Sequence, residues 1–131
     1  MSGDCVFCKI VAGEIPSEKV WEDENFIAIL DAFPSMKGQT LLVTKEHYSS
    51  DLLEMDDDFY CKYFKTAKKI ANGIKKAFNS KRAGFVVEGL EVDHAHIRIY
   101  PLDSGLRLER LDPKPSDEEM KEISEKIKSS L

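Results

Sequence analysis

His94-Ala95-His96-Ile97-Arg98-Ile99-Tyr100 alternates nitrogen-rich side chains with small or apolar ones. Side chains at i and i+2 of a strand share one face, roughly 7 Å apart. The stretch is therefore predicted as a strand that projects His94, His96 and Arg98 together. Ala95, Ile97 and Ile99 point the other way, where a core needs them, and Pro101 is expected to end the strand. Periodicity alone leaves two readings open: the polar face of an exposed strand, or side chains gathered for chemistry.

Working outward, residues 84–87 read as the strand before it, joined through Glu88-Gly89-Leu90-Glu91. Lys19–Glu22 and residues 26–31 read as a hairpin turned by Asp23-Glu24-Asn25. Thr40–Thr44 is apolar enough to be a central strand. From Asp57 to Phe78, the positions Tyr63, Ala67, Ile70, Ile74 and Phe78 recur at helical spacing and predict one long helix. Its many lysines read as a solvated surface, and Asn79-Ser80 closes it. Residues 102–115 read as an irregular connection. Ser116 and Glu119 then form a capping-box pattern before Met120, Ile123, Ile127 and Leu131, which predicts a C-terminal helix. The expected architecture is α+β, an antiparallel sheet of about five strands with a long helix and a C-terminal helix.

The chain has 131 residues, 42% hydrophobic and 33% charged, which suits one domain over residues 1–131. It needs no disulfide framework to bury a core. Residues 1–4 lack the basic start and apolar stretch of a signal peptide, and no apolar run approaches a membrane span. A cytoplasmic protein with no membrane attachment is expected. The net charge of −5 argues against broad nucleic-acid binding, which draws on excess Lys and Arg. A small anionic ligand stays compatible with it, since one local Arg outweighs a weak global field.

Three cysteines, Cys5, Cys8 and Cys61, read as thiols or metal ligands in a chain of this kind. Cys5-x-x-Cys8 alone reads as half of a zinc site, a redox pair or a chance spacing. A thioredoxin-like motif sits between a strand and a helix, whereas this pair precedes every predicted strand. Cys61 lies in the long helix and is expected to pack. Ser35 and Ser104 have no obvious activating partner.

Three blocks of the chain together resemble the histidine triad (HIT) family. Residues 5–16, CVFCKIVAGEIP, look like its N-terminus; residues 38–47, GQTLLVTKEH, are similar to its central strand and the His that follows. Residues 92–101, VDHAHIRIYP, resemble the alternating histidines that name the family. The resemblance implies a HIT-like fold and a homodimer with a continuous sheet. It also implies that His96 attacks the α-phosphorus of a nucleotide and forms a nucleotidyl-histidine that water releases. Two displacements then replace one harder one. Cys5, Cys8, His47 and His94 fall on the zinc ligands of metal-bearing members, a closed four-ligand set that makes the metal structural. Asp31 falls on the acidic residue that bonds the ribose. Phe7, Ile10, Ile15 and Ile29 fall on apolar positions around the base.

The third motif position, usually His, is Arg98. Hexose-phosphate uridylyltransferases also lack that third His and are active. Arg98 stays protonated, so it suits a phosphate clamp and not a general acid. The loop before the motif is short, and Glu91 and Asp93 are expected to bring negative charge near the phosphate. The leading function is thus a purine-nucleotide hydrolase or transferase acting on a phosphoramidate, a dinucleoside polyphosphate or a similar ester. Retention of His96 favours it. Arg98 and the acidic loop favour the alternative, a catalytically silent, zinc-stabilised dimer that binds a nucleotide or a protein. A redox protein using Cys5 and Cys8 is third.

Overall fold

The computed structural model describes residues 4–131; the expectation about a signal peptide falls mostly on residues 1–3, outside them. The elements in chain order are α1 (Val6–Val11), β1 (Lys19–Glu22), β2 (Phe26–Leu30), β3 (Thr40–Thr44) and a 3-10 turn at Leu52–Glu54. Then come α2 (Asp57–Phe78), β4 (Arg82–Val86), β5 (His96–Leu102) and α3 (Asp117–Lys128). The five strands make one antiparallel sheet in the order β1-β2-β3-β5-β4. The α+β class and its elements match the sequence expectation.

Strand alternation sorts the side chains to two faces. Phe26, Ala28, Leu30, Leu42, Ala95, Ile97 and Ile99 join the main core with Tyr63, Ile70 and Ile74 of α2 and Ile123 and Ile127 of α3. Ile27, Ile29, Leu41 and Val43 face the other way and are covered by Phe7 of α1. Both faces of β2 and β3 are covered, which is why all ten of their residues are buried. Trimming a fully buried side chain such as Ile97 to Ala should cost about 2–5 kcal/mol.

The helix ends follow capping chemistry. Asp56 accepts the Phe59 N–H, and Ser116 accepts the Glu119 N–H as its sequence pattern predicts. Asn79 closes α2 in the left-handed region, a conformation that Asn adopts more readily than most residues. Tyr63 ties α2 to the sheet by donating its hydroxyl to the Leu42 carbonyl at 2.6 Å.

Four sequence expectations need correction. Strand β5 begins at His96, not His94, because the chain bends through residues 91–94 before pairing with β3. Pro101 lies inside β5: pairing with β3 ends at Ile99, so beyond it only one flank is bonded, an edge position that tolerates proline. Strand β4 starts two residues early, at Arg82, drawn into the ladder by Leu102. Cys61 is exposed on α2, away from the packed stripe.

Among the described residues, no helix is long and apolar enough to cross a membrane.

Candidate active site and metal cluster

The face opposite α2 carries the site. Register places Ile27, Val43 and His96 in one row across β2, β3 and β5, and Ile29, Leu41 and Arg98 in the next. The ladder continues one step further, where the Asp31 N–H donates to the Gln39 carbonyl at 3.0 Å. Beyond Arg98 on the same face comes Tyr100. Thus β5 contributes His96, Arg98 and Tyr100, β3 contributes Leu41 with Gln39 just before it, and β2 contributes Ile29 with Asp31 just after it.

These side chains line one cavity of about 680 Å³. Phe7, Ile10 and Ile15 of the N-terminal segment form its apolar side, with Ile29 beneath them. Asp31, His96 and Arg98 share this wall with the four apolar residues expected around the base. The third side was not legible in the sequence. Leu108, Arg110 and Lys114 come from the irregular connection, which is pinned by the Leu111 N–H on the Pro34 carbonyl at 2.9 Å. Arg110 and Lys114 also lie over the Phe33 ring, at 5.3 and 4.6 Å.

His96 is 6% exposed and sits edge-on to Phe7, with ring centroids 4.9 Å apart. Its Nδ1 lies 2.7 Å from the His94 carbonyl. A carbonyl only accepts, so Nδ1 carries the proton and Nε2 keeps its lone pair. Burial pushes the ring's pKa below the ordinary imidazole value; the His94 carbonyl opposes this shift and the Arg98 charge adds to it.

The Arg98 guanidinium has one acidic neighbour among the described residues, Glu88, at 3.9 Å. That spacing is too long for a hydrogen bond. Glu91 lines the cavity as expected. Asp93 does not, contrary to the sequence expectation: its carboxylate accepts the Ser50 N–H at 2.9 Å.

Beside His96, Cys5, Cys8, His47 and His94 present four ligand atoms within 4.8 Å of one another. Sγ of Cys5 lies 3.2 Å from His94 Nδ1, and Sγ of Cys8 lies 3.2 Å from His47 Nδ1 and 3.4 Å from His94 Nδ1. Three pieces of chain supply the geometry: the start of α1 holds both thiols, with Cys5 Sγ accepting the Cys8 N–H, and the segments after β3 and before β5 bring one imidazole each. His94 Nε2 donates to the Thr44 carbonyl at 2.6 Å, which turns the bare Nδ1 toward the thiols. Such an outer hydrogen bond is the usual way a metal-binding imidazole is oriented. Burial, and after it the neighbouring Cys5 thiol, push the Cys8 thiol up to about 11. These four residues could hold a metal ion, and Cys2His2 is a donor set that zinc takes.

Comparison with known proteins identifies the family and the fold. Residues 12–105 match the family profile described as HIT domain. An uncharacterized HIT-like protein of Methanocaldococcus jannaschii is 43% identical over 105 residues, 77% of this chain and 81% of its own. Adenosine 5'-monophosphoramidase of Schizosaccharomyces pombe is 32% identical over 131 residues, covering 97% of this chain and 98% of its own. Among solved structures, a Zn-bound histidine triad family protein from Mycobacterium smegmatis superposes with a TM-score of 0.83 at 27% identity, over 99% of this chain and 94% of that one.

Proposed function

The chain belongs to the HIT domain family, and from that premise we propose that it hydrolyses or transfers the nucleotidyl group of a purine nucleoside phosphoramidate, dinucleoside polyphosphate or related nucleotide, with His96 as nucleophile. The observation that carries this reading is the tautomer of His96. Its Nδ1–H is committed to the His94 carbonyl, and the lone pair of Nε2 is left on a ring that lines the cavity.

In the first step a bond forms from Nε2 to the α-phosphorus and the bond from phosphorus to the leaving group breaks. An amine leaving group takes up a proton from water as it departs. The ring then carries a positive charge, which the His94 carbonyl stabilises through the Nδ1 proton. In the second step water attacks phosphorus and gives up a proton to solvent, the Nε2–phosphorus bond breaks, and the nucleoside monophosphate leaves with the neutral ring restored. Arg98 binds the phosphate oxygens and holds the charge that develops on them. Asp31 accepts the ribose hydroxyls; Phe7, Ile10, Ile15 and Ile29 enclose the base.

The cysteine–histidine cluster holds zinc in this reading, with Cys5, Cys8, His47 and His94 as its ligands. When bound, zinc supplies a structural cross-link between α1, the segment after β3 and the approach to β5. The donor set supports it, as does the Thr44 bond that aims His94 Nδ1 at the thiols. Two copies of the chain pair through β4, one of the sheet's two outer strands, where Phe85 and, just past the strand, Val87 are each 42% exposed. Residues 1–131 act as one domain, in the cytoplasm.

The test is turnover of adenosine 5'-phosphoramidate by the wild-type chain and by His96→Ala. Release of AMP that vanishes in the variant supports the enzyme. Activity that survives the substitution removes His96 from its role, and no activity in either favours the silent nucleotide-binding dimer.

A further inference from the structure

Gln39 is buried at 5% exposure, carries no charge and has no place in the chemistry above, yet its side chain donates a hydrogen bond to Asp31. Its Nε2 lies 2.7 Å from Asp31 Oδ2, and its Oε1 lies 2.7 Å from the Ser35 N–H. A backbone N–H only donates and a carboxylate only accepts, so the orientation of this amide is settled by its partners. Reversing it would set a donor against a donor and an acceptor against an acceptor. The Ser35 hydroxyl in turn donates to the Arg107 carbonyl, which anchors the connection that forms the cavity's third side.

The other Asp31 oxygen, Oδ1, accepts the Phe33 N–H at 2.9 Å. Each carboxylate oxygen has room for about two hydrogen bonds. One on each is therefore occupied by protein, and one on each is left for a ligand on the cavity wall. Two acceptors on one rigid carboxylate match the adjacent hydroxyls of a ribose, which donate side by side.

We infer that Gln39 is the positioning residue for ribose recognition: it locks the Asp31 carboxylate in the one rotation that offers an acceptor to each of two neighbouring hydroxyls. This rests on the assignment of Asp31 to the ribose. Gln39 makes the nucleotide site selective for ribonucleotides over their deoxy counterparts, and Ser35 relays to that carboxylate the seating of the connection at Arg107.

The measurement is the affinity of the 131-residue chain for AMP and for 2',3'-dideoxy-AMP, by calorimetry across a pH series. A hydrogen bond to a charged group is typically worth a factor of about ten or more, so wild type should favour AMP by at least about tenfold. Asp31→Asn should bring that ratio near one. If it does not, the assignment of Asp31 to the ribose fails on its own account. With Asp31→Asn behaving as expected, Gln39→Met should lose most of the preference, and a full preference there overturns the role of Gln39.

Gln39→Glu guards against a merely unstable variant, because its carboxyl still accepts the Ser35 N–H. At neutral pH two carboxylates face each other and the ribose preference should fall. As the pH drops, one of the pair takes a proton. That proton can bridge to Asp31 as the amide does, so the AMP preference should return in the variant while wild type shows no such gain. The AMP to dideoxy-AMP ratio cancels changes in phosphate binding. A ratio in Gln39→Glu that stays at the wild-type level at neutral pH, or never recovers at low pH, contradicts the proposal.

Discussion

His94 faces two ways: its ring nitrogen Nδ1 lies 3.2 Å from Cys5 Sγ, while its backbone carbonyl accepts the Nδ1 proton of His96 at 2.7 Å. The residue in the candidate metal cluster is thus the one that fixes the tautomer of the candidate nucleophile. Whatever anchors the His94 ring also steadies the carbonyl that His96 leans on, since the two belong to one residue in a bend.

Zinc is therefore expected to act on stability first and on reactivity through His94. One zinc ion per chain should be found by elemental analysis of protein purified without chelator. Stripping it, or making Cys5→Ser with Cys8→Ser, should lower the melting temperature by several degrees, since a ΔΔG of about 1 kcal/mol moves a domain of this size by roughly 3–5 °C. A chain without metal that melts where the loaded chain does would refute the structural role.

Arg98→Ala is expected to weaken AMP binding by about tenfold to a hundredfold, the range for losing a charge-assisted hydrogen bond. Arg98→Lys should recover only part of this, because an ammonium cannot span two phosphate oxygens in the planar fork of a guanidinium. Titration calorimetry reads both. Unchanged affinity in Arg98→Ala would leave the guanidinium without its assigned partner.

The free edge of β4 should pair with a second copy. Phe85 meets Phe64 of α2 edge-on at 6.1 Å, and the two form an apolar corner next to that edge. Sedimentation should give twice the chain mass, and Phe85→Glu should shift the population toward one copy. A wild-type chain that sediments as a monomer at micromolar concentration would contradict pairing.

Much of this was legible in the residues because period-2 alternation and helical periodicity are local signals. The alternation from His94 to Tyr100 placed His96 and Arg98 on one face and Ile97 and Ile99 in the core, and the structure agrees. What failed is what depends on distant chain. The sequence cannot say that β3 stops pairing at Ile99, which is what lets Pro101 stay in the strand. Nor does residue type reveal that Ser50 would draw Asp93 away from the cavity. Gln39 carries no signal by residue type, because its role appears only once antiparallel register sets it beside Asp31. A cue was available: once β2 and β3 pair as a tight antiparallel unit, residues just past Leu30 and just before Thr40 must meet. Residues 102–115 offered no periodicity, so their place over Pro34 and Phe33 had no precursor in the sequence.

The most direct test of the catalytic claim is to trap the covalent intermediate. Wild-type chain mixed with adenosine 5'-phosphoramidate and quenched early into base, where phosphorus–nitrogen bonds of histidine survive, should gain the mass of one adenylyl group. Peptide mapping should locate it on His96 and nowhere else, and His96→Ala should gain nothing. AMP released with no adduct at any quench time, or an adduct mapped to another residue, would mean that the Nε2 lone pair at position 96 is not the attacking group.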